Sequence, residues 1–205
     1  MPKYEGCENI PTKGGFVFAG NHTSVMDACT IVSTPGRIIH TLSKKELFKG
    51  KIRNWFFRSM ACIPVDRKTH DENAKIEVIN MLNEEHAVGI FPEGTINRTI
   101  GTKDEVSLLP FKEGAVKFAL KTNTPIVPFA IAGKYRIFRH GLTVRYGHPY
   151  YVKSKDTKKE TEILRSKILK LKEGGKLWEI NYFPLKEVCM MNLLKMEKNI
   201  KIILL

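Results

Sequence analysis

Short apolar runs alternate with amphipathic patterns along the 205 residues of the chain. Glycine, proline or polar residues bound each run, as is typical of buried strands. Between the runs, apolar residues recur three or four positions apart, which predicts amphipathic helices. The predicted strands are 16–19, 37–42, 87–91, 126–132 and 142–146, and the clearest predicted helices are 71–86, 110–121 and 157–172. This alternation predicts an α/β fold with a central, largely parallel or mixed sheet and helices on both faces.

Two prolines, Pro125 and Pro128, lie at the start of the predicted strand 126–132. Proline has no amide hydrogen to donate to a neighbouring strand, so it occurs mainly at sheet edges and strand ends. The two prolines therefore predict that this segment is an edge or terminal strand.

The same patterning indicates one domain followed by a tail. A chain of this length fits a single domain of about 100–200 residues with its own core. The last clear helix stops at Gly174 and Gly175, and beyond it apolar residues and lysines mix without a regular period. We expect one domain over 1–177 and a C-terminal tail over 178–205, to which the sequence assigns no structure.

The segment 44–63 combines an apolar stripe with many basic side chains. The residues at helical spacing are Phe48, Ile52, Trp55, Phe56 and Met60, and six lysines and arginines lie among them. A basic amphipathic helix with Trp and Phe is a candidate for binding a membrane surface. An ordinary helix with its apolar stripe in the core and a solvated basic face fits the same pattern equally well.

Composition adds a strong positive charge: 34 Lys and Arg against 21 Asp and Glu give a formal net charge of +13. This charge favours an anionic partner, which is nucleic acid, a membrane surface or a phosphorylated substrate. A basic nucleic-acid-binding protein is therefore one interpretation. Against it, no helix-turn-helix or zinc-finger pattern is present, and the aromatic residues lie in strands and one apolar helix. We expect no nucleic acid as partner.

Cysteine spacing and apolar run length indicate the compartment. The four cysteines are far apart with no C-x-x-C pair, which predicts neither a disulfide framework nor a zinc site. The sequence has no run of about 18 uncharged apolar residues and no signal-peptide pattern. We expect a cytoplasmic protein with free thiols that neither spans a membrane nor is secreted.

A polar cluster follows the first predicted strand, where 20–27 read Gly-Asn-His-Thr-Ser-Val-Met-Asp. The carboxyl end of a strand is where α/β folds bind ligands. His22 and Asp27 would point about 140° apart on one regular helix. We therefore expect His22 to precede a helix that is capped by Thr23 or Ser24 and has Asp27 in its first turn.

An aspartate bound to one ring nitrogen leaves the other nitrogen of His22 as a base, and such a pair can deprotonate a substrate hydroxyl. The alternative is a helix-capping stretch with a structural histidine. A metal hydrolase using His22 and Asp27 is a further rival, but no other ligands occur at metal-site spacing.

A second cluster, Phe-Pro-Glu-Gly-Thr at 91–95, also directly follows a strand. Glu93 can orient an arginine or accept a hydrogen bond from a polyol, and Gly94 permits close approach of the backbone. A tight turn capped by Thr95 is the alternative.

A third cluster, Ile-Pro-Val-Asp-Arg at 63–67, ends in an arginine. The planar guanidinium of Arg67 suits bidentate recognition of a phosphate. A surface ion pair between Asp66 and Arg67 is the alternative.

Taken in order and spacing, these blocks resemble the glycerolipid acyltransferases, most closely the bacterial lysophosphatidate acyltransferases. The blocks are Asn-His-Thr-Ser-x-x-Asp at 21–27, Ile-Pro-Val-Asp-Arg at 63–67, Phe-Pro-Glu-Gly-Thr at 91–95 and Ile-Val-Pro at 126–128. The resemblance extends over roughly 4–175. Four blocks in register are far more specific than any one of them.

The resemblance implies the glycerolipid acyltransferase fold and an O-acyltransferase activity. Such an enzyme transfers a fatty acyl group from acyl carrier protein or coenzyme A to the free hydroxyl of lysophosphatidate, giving phosphatidate in phospholipid biosynthesis. Glycerol 3-phosphate or another lysolipid is the alternative acceptor. No metal or cofactor is implied beyond the thioester co-substrate.

The resemblance also implies residue roles. His22 corresponds to the general base and Asp27 to its orienting partner. The implied substrate-binding residues are Lys44, Arg67, Glu93, Gly94, Thr95 and Arg98.

One departure from the family pattern concerns the acceptor headgroup. The family commonly has Arg and then Ser after Glu-Gly-Thr, whereas Ile96 and Asn97 follow here, which leaves Arg98 to supply a cation. We also expect peripheral binding to the anionic cytoplasmic face of the membrane, through the basic helix within 44–63.

Overall fold

The computed structural model describes residues 2–66, 71–100, 102–103, 107–135 and 141–174. The strands in these ranges are β1 (Lys3–Glu5), β2 (Phe16–Gly20), β3 (Ile39–Lys44), β4 (Cys62–Val65), β5 (Ala87–Ile90), β6 (Ile126–Gly133) and β7 (Leu142–Tyr146). The α-helices are α1 (Asp27–Val32), α2 (Lys51–Ser59), α3 (Glu72–Asn83), α4 (Gly114–Thr122) and α5 (Thr157–Lys172). Short 3-10 helices cover Cys7–Asn9 and Lys45–Phe48. The predicted tail 178–205 lies outside the described residues.

The strands form one mixed sheet in the order β1-β7-β6-β2-β5-β3-β4. Neighbouring strands run parallel except for β6 and β7, which pair antiparallel. Strand β2 is central and fully buried, because five consecutive residues without a charge suit a strand covered on both faces. The predicted mixed sheet with helices on both faces is confirmed.

Each face of the sheet has its own apolar core. On one face, α3, α4 and α5 contribute buried side chains such as Val78, Val116 and Ile168. On the other face, Ile31 of α1 packs with Phe16 and other residues of the sheet. The sheet is thus sandwiched between helices, and its carboxyl edge stays available for the polar loops.

The prediction of an edge or terminal strand at 126–132 is wrong. Strand β6 lies inside the sheet, between β2 and β7. On the β7 side, Ile126 exchanges backbone hydrogen bonds with Tyr150, and the carbonyl of Pro128 accepts from the amide of Gly147. The regular pairing with β7 begins only at Phe129. The nitrogen of Pro128 therefore faces the segment beyond the end of β7, where the ladder loses no hydrogen bond.

The basic segment 44–63 also differs from a single amphipathic helix. Gly50, at φ 89°, separates the 3-10 helix Lys45–Phe48 from α2. None of the α2 residues is buried, and Ile52 and Phe56 are 82% and 47% exposed. The interpretation that placed this apolar stripe in the core is therefore wrong.

Candidate active site

Two loops meet at the carboxyl edge of the sheet because β2 and β5 are parallel neighbours. Their register pairs Ala19 with Ile90, so the chain leaves both strands at the same level. The loop after β2 carries His22, and the loop after β5 carries Glu93. Gly20 ends β2, and a Cβ at this position would lie 2.3 Å from the Phe129 ring, so the close approach of this ring requires glycine.

His22 and Asp27 form the pair that the sequence predicts. His22 precedes α1 and Asp27 is its first residue, which places His22 Nδ1 2.9 Å from Asp27 Oδ2. Asp27 is fully buried, whereas 11% of the His22 side chain is exposed. A carboxylate can only accept, so the hydrogen lies on Nδ1 and leaves Nε2 with a lone pair.

The capping arrangement differs from the prediction. Neither Thr23 nor Ser24 caps α1 with its side chain; Met26 is the N-cap residue and makes no side-chain cap bond. The Asp27 carboxylate instead accepts hydrogen bonds from the backbone amides of Thr23 and Ser24. The charged carboxylate is a stronger acceptor than a hydroxyl, so it captures the free amides of the turn.

Two residues that the sequence did not point to complete the surroundings of Asp27. The Tyr135 hydroxyl donates to Asp27 Oδ1 at 2.6 Å, and the Thr30 hydroxyl lies 3.0 Å from the same phenol oxygen. Tyr135 follows β6, more than 100 positions from Asp27, so no local spacing pattern connects them. Tyr135 is 37% exposed, but the partial desolvation of its hydroxyl and the Asp27 carboxylate both raise its pKa.

Glu93 is a structural partner of the His22 loop. Its Oε1 accepts from the amide of His22 at 2.8 Å, and its Oε2 accepts from the amide of Leu109 at 2.9 Å. Glu93 is 4% exposed, and this burial raises the pKa of the carboxyl, opposed by the two amide hydrogen bonds. Both carboxylate oxygens thus hold backbone in place.

Further contacts fix the backbone and ring of His22. Its carbonyl accepts from the amide of Asn97 at 2.8 Å, and its ring stacks on Phe91 with centroids 4.2 Å apart. Asn21 exchanges two hydrogen bonds, of 2.7 and 2.9 Å, with the backbone of Ile131 in β6. Within the described ranges no hydrogen bond to His22 Nε2 is found, so this nitrogen is available to a substrate.

The predicted cationic residues are distributed around this edge. Lys44, at the end of β3, and Arg98 are both exposed. Thr95, an uncharged residue that was also predicted to bind substrate, is exposed as well. Arg67 lies outside the described residues, so its role stays a prediction.

Lys112 is a cation that the sequence analysis did not single out. Its amide donates to the carbonyl of Pro92, and its side chain crosses Gly94. A Cβ on Gly94 would lie 3.0 Å from Lys112 Nζ, a flexible end that can move away, so the φ of 68° is what favours glycine here. Because Phe91 stacks on His22, this lysine lies over a loop that also supports the His22 ring.

A cavity of about 510 Å³ opens between the 3-10 helix Lys45–Phe48, α2 and the end of β4. Lys45, Lys49 and Arg58 line it together with Glu46 and Asp66. Among the described residues, no group of three or more His, Cys, Asp or Glu side chains is placed to hold a metal ion.

The sequence model of the Acyltransferase family matches residues 2–132. The chain belongs to the acyltransferase family. The predicted resemblance is thereby confirmed, and the chain is an enzyme of the O-acyltransferase class.

Among the relatives of this acyltransferase is the 1-acyl-sn-glycerol-3-phosphate acyltransferase of Borreliella burgdorferi. It is 35% identical over 185 residues, which cover 84% of this chain and 72% of the relative. The enzyme of the same description from Bacillus subtilis is 37% identical over 127 residues, or 62% of this chain and 60% of the relative.

A solved structure supports the fold of the acyltransferase. The 1-acyl-sn-glycerophosphate acyltransferase PlsC from Thermotoga maritima aligns with a TM-score of 0.64 at 23% identity, covering 86% of this chain and 72% of that one. In the described part of the acyltransferase, no helix is long and apolar enough to cross a membrane.

Proposed function

We propose that this acyltransferase moves a fatty acyl group from an acyl thioester to the free hydroxyl of lysophosphatidate, giving phosphatidate for phospholipid synthesis. His22 is the general base and Asp27 orients it. The observation that carries this proposal is the His22–Asp27 contact of 2.9 Å, which leaves Nε2 without a partner in the described part of the chain. The descriptions of the two bacterial relatives support the acceptor.

The reaction needs one proton shuttle. His22 Nε2 takes the proton of the acceptor hydroxyl while the oxygen of that hydroxyl forms a bond to the thioester carbonyl carbon. The tetrahedral intermediate then expels the thiolate, and the imidazolium returns the proton to the sulfur. Asp27 stabilises the imidazolium between the two steps, and no acyl-enzyme forms. General base catalysis of this kind contributes about 10²- to 10⁴-fold.

The acceptor phosphate is bound by cations near the His22 loop. Lys44 and Arg98 are exposed at this edge, and Lys112 Nζ lies over Gly94. Lysine binds phosphate as a point charge and arginine by a bidentate contact. The arginine common in the family after Glu-Gly-Thr is Ile96 here, so Lys112, Lys44, Arg98 and the predicted Arg67 supply the charge that it lacks.

The enzyme binds its lipid at the membrane surface, on the cytoplasmic face, through α2. Ile52 is 82% exposed, Trp55 40% and Phe56 47%, and basic side chains alternate with them. Exposed apolar side chains are stabilised when they leave water and enter the headgroup region. Each nearby Lys or Arg strengthens binding to anionic lipid by about 1 kcal/mol.

The test is an assay of thiol release and of lipid product with purified protein. Lysophosphatidate and glycerol 3-phosphate are compared as acceptors, each with the acyl carrier protein thioester and with the coenzyme A thioester. We expect phosphatidate as product and faster thiol release with lysophosphatidate. Preferential acylation of glycerol 3-phosphate would replace the proposed acceptor, and no transfer from either donor would overturn the proposal.

A further inference from the structure

The hydroxyl of Tyr135 contacts the carboxylate oxygen of Asp27 that His22 does not use. Tyr135 donates to Oδ1 at 2.6 Å, and His22 Nδ1 lies 2.9 Å from Oδ2. Two side chains from distant segments therefore hold one buried carboxylate. The strand order explains the meeting, because β6, which precedes Tyr135, is the neighbour of β2, which precedes His22.

Backbone contacts tie the end of β6 to the start of β7 directly before Tyr135. Gly133 has a φ of 95°, and the amide of Lys134 donates to the carbonyl of Gly141 at 2.9 Å. The Thr30 hydroxyl, 3.0 Å away, holds the phenol oxygen from the side of α1. Since desolvation of the hydroxyl and the Asp27 carboxylate raise the pKa of Tyr135, the phenol keeps its hydrogen at neutral pH and is the donor.

We propose that Tyr135 is a positioning residue for the general base, which fixes Asp27 and sets how strongly that carboxylate attracts the proton of His22. The proposal rests on the function above, in which His22 is the base. A donor on Oδ1 draws negative charge away from Oδ2, so the imidazolium is stabilised less than by an unshared carboxylate. Among the described residues, Glu93 is a second carboxyl that contacts His22, and it does so through the backbone amide.

The experiment is Tyr135→Phe, with Tyr146→Phe as the matched control. The Tyr146 hydroxyl lies 3.0 Å from the hydroxyl of Thr34, so the control also removes a tyrosine–threonine contact next to α1 without touching Asp27. For Tyr135→Phe we expect kcat/KM to fall by about tenfold, because Asp27 is no longer fixed and no longer holds the His22 ring in its reactive orientation. In this variant the acidic limb of the pH profile of kcat/KM shifts to higher pH, by about half a pH unit.

A second readout does not depend on turnover. In NMR spectra of the protein without substrates, the imidazole signals of His22 report its protonation midpoint, which we expect to rise in Tyr135→Phe and to stay constant in Tyr146→Phe. If the wild-type protein transfers no acyl group, the proposed function fails, but this titration still measures the coupling.

A fluorinated tyrosine at 135 keeps the shape and makes the phenol a stronger donor. It moves the midpoint of His22 in the opposite direction, to lower pH, and needs no change in packing. Tyr135 is only structural if activity falls in Tyr135→Phe while the pH profile and the midpoint remain those of the wild type. An unchanged midpoint with the fluorinated side chain would overturn the proposal even if Tyr135→Phe does not fold.

Discussion

His22 is held at four places, and none of them uses Nε2. Its amide donates to Glu93, its carbonyl accepts from Asn97, its Nδ1 contacts Asp27 and its ring stacks on Phe91. Three of these partners, Phe91, Glu93 and Asn97, lie in the loop after β5, and the fourth, Asp27, begins α1. In the proposed mechanism, a base fixed in this way loses little freedom on reaching the transition state, and this is how positioning accelerates a reaction.

Glu93 is the residue whose substitution best tests this support. In Glu93→Gln the new amide group faces the backbone amide of His22 or Leu109, two donors against each other. We expect the free energy of unfolding to fall by about 1–3 kcal/mol, and kcat to fall with it. Urea unfolding measures the first quantity, and Glu162→Gln, on the exposed face of α5, is the control. Wild-type stability in Glu93→Gln would show that the two amide bonds are dispensable.

The same residue predicts a pH dependence of stability. Burial raises the pKa of Glu93, so the folded chain binds this proton more tightly than the unfolded chain. The contribution of Glu93 to stability therefore falls as pH rises from the ordinary value of 4.5 through the folded pKa, and is constant above it. The difference in unfolding free energy between wild type and Glu93→Gln, measured between about pH 4 and pH 8, should show this decline. A flat difference would contradict it.

At the scale of elements, the sequence predicted the strands and helices that are regular and missed those that depend on neighbours. Strand β1 has three residues, and its pairing with β7 spans most of the chain, so no local pattern indicates it. The two prolines predict an edge strand at β6 because the sequence alone does not show where β7 ends. Tyr135 was missed for the same reason, since its contact with Asp27 follows from the strand order.

Helix α2 carries the prediction at this scale. In Ile52→Ser an apolar side chain that is 82% exposed becomes polar, so the fold loses no core contact. If α2 enters the lipid surface, binding to anionic vesicles falls by about tenfold, the loss expected for one buried isoleucine. Ile76→Ser on α3, where the isoleucine is 55% exposed, is the matched control and should bind as wild type. Equal binding by both variants would exclude α2 as the membrane contact.

At the scale of the molecule, the net charge of +13 has two uses in the proposed function. Some cations bind the acceptor phosphate, and those of α2 attract the anionic bilayer. The sequence predicted the pair His22 and Asp27 because both residues lie in one short motif that directly follows a strand. Such local features can be recognised from neighbouring residues. It did not show that the oxygens of Glu93 are taken by backbone amides, since those partners come from separate loops.

The salt dependence of vesicle binding tests the second use of the charge, attraction to the anionic bilayer. We expect binding to vesicles with anionic lipid to weaken as salt rises, because exposed cations are screened over about 10 Å at 0.1 M salt. Binding to neutral vesicles should be weaker and depend little on salt. Sedimentation with vesicles of both compositions measures this, and binding insensitive to salt and to lipid charge would contradict the electrostatic contribution.

The central claim, that His22 is the general base, is tested most directly by the rate of thiol release in His22→Ala with lysophosphatidate and an acyl thioester. His148→Ala, at an exposed histidine, is the control. We predict that His22→Ala lowers the rate by about 10²- to 10⁴-fold in a protein that remains folded, while the control keeps the wild-type rate. A near-normal rate in folded His22→Ala would contradict the account.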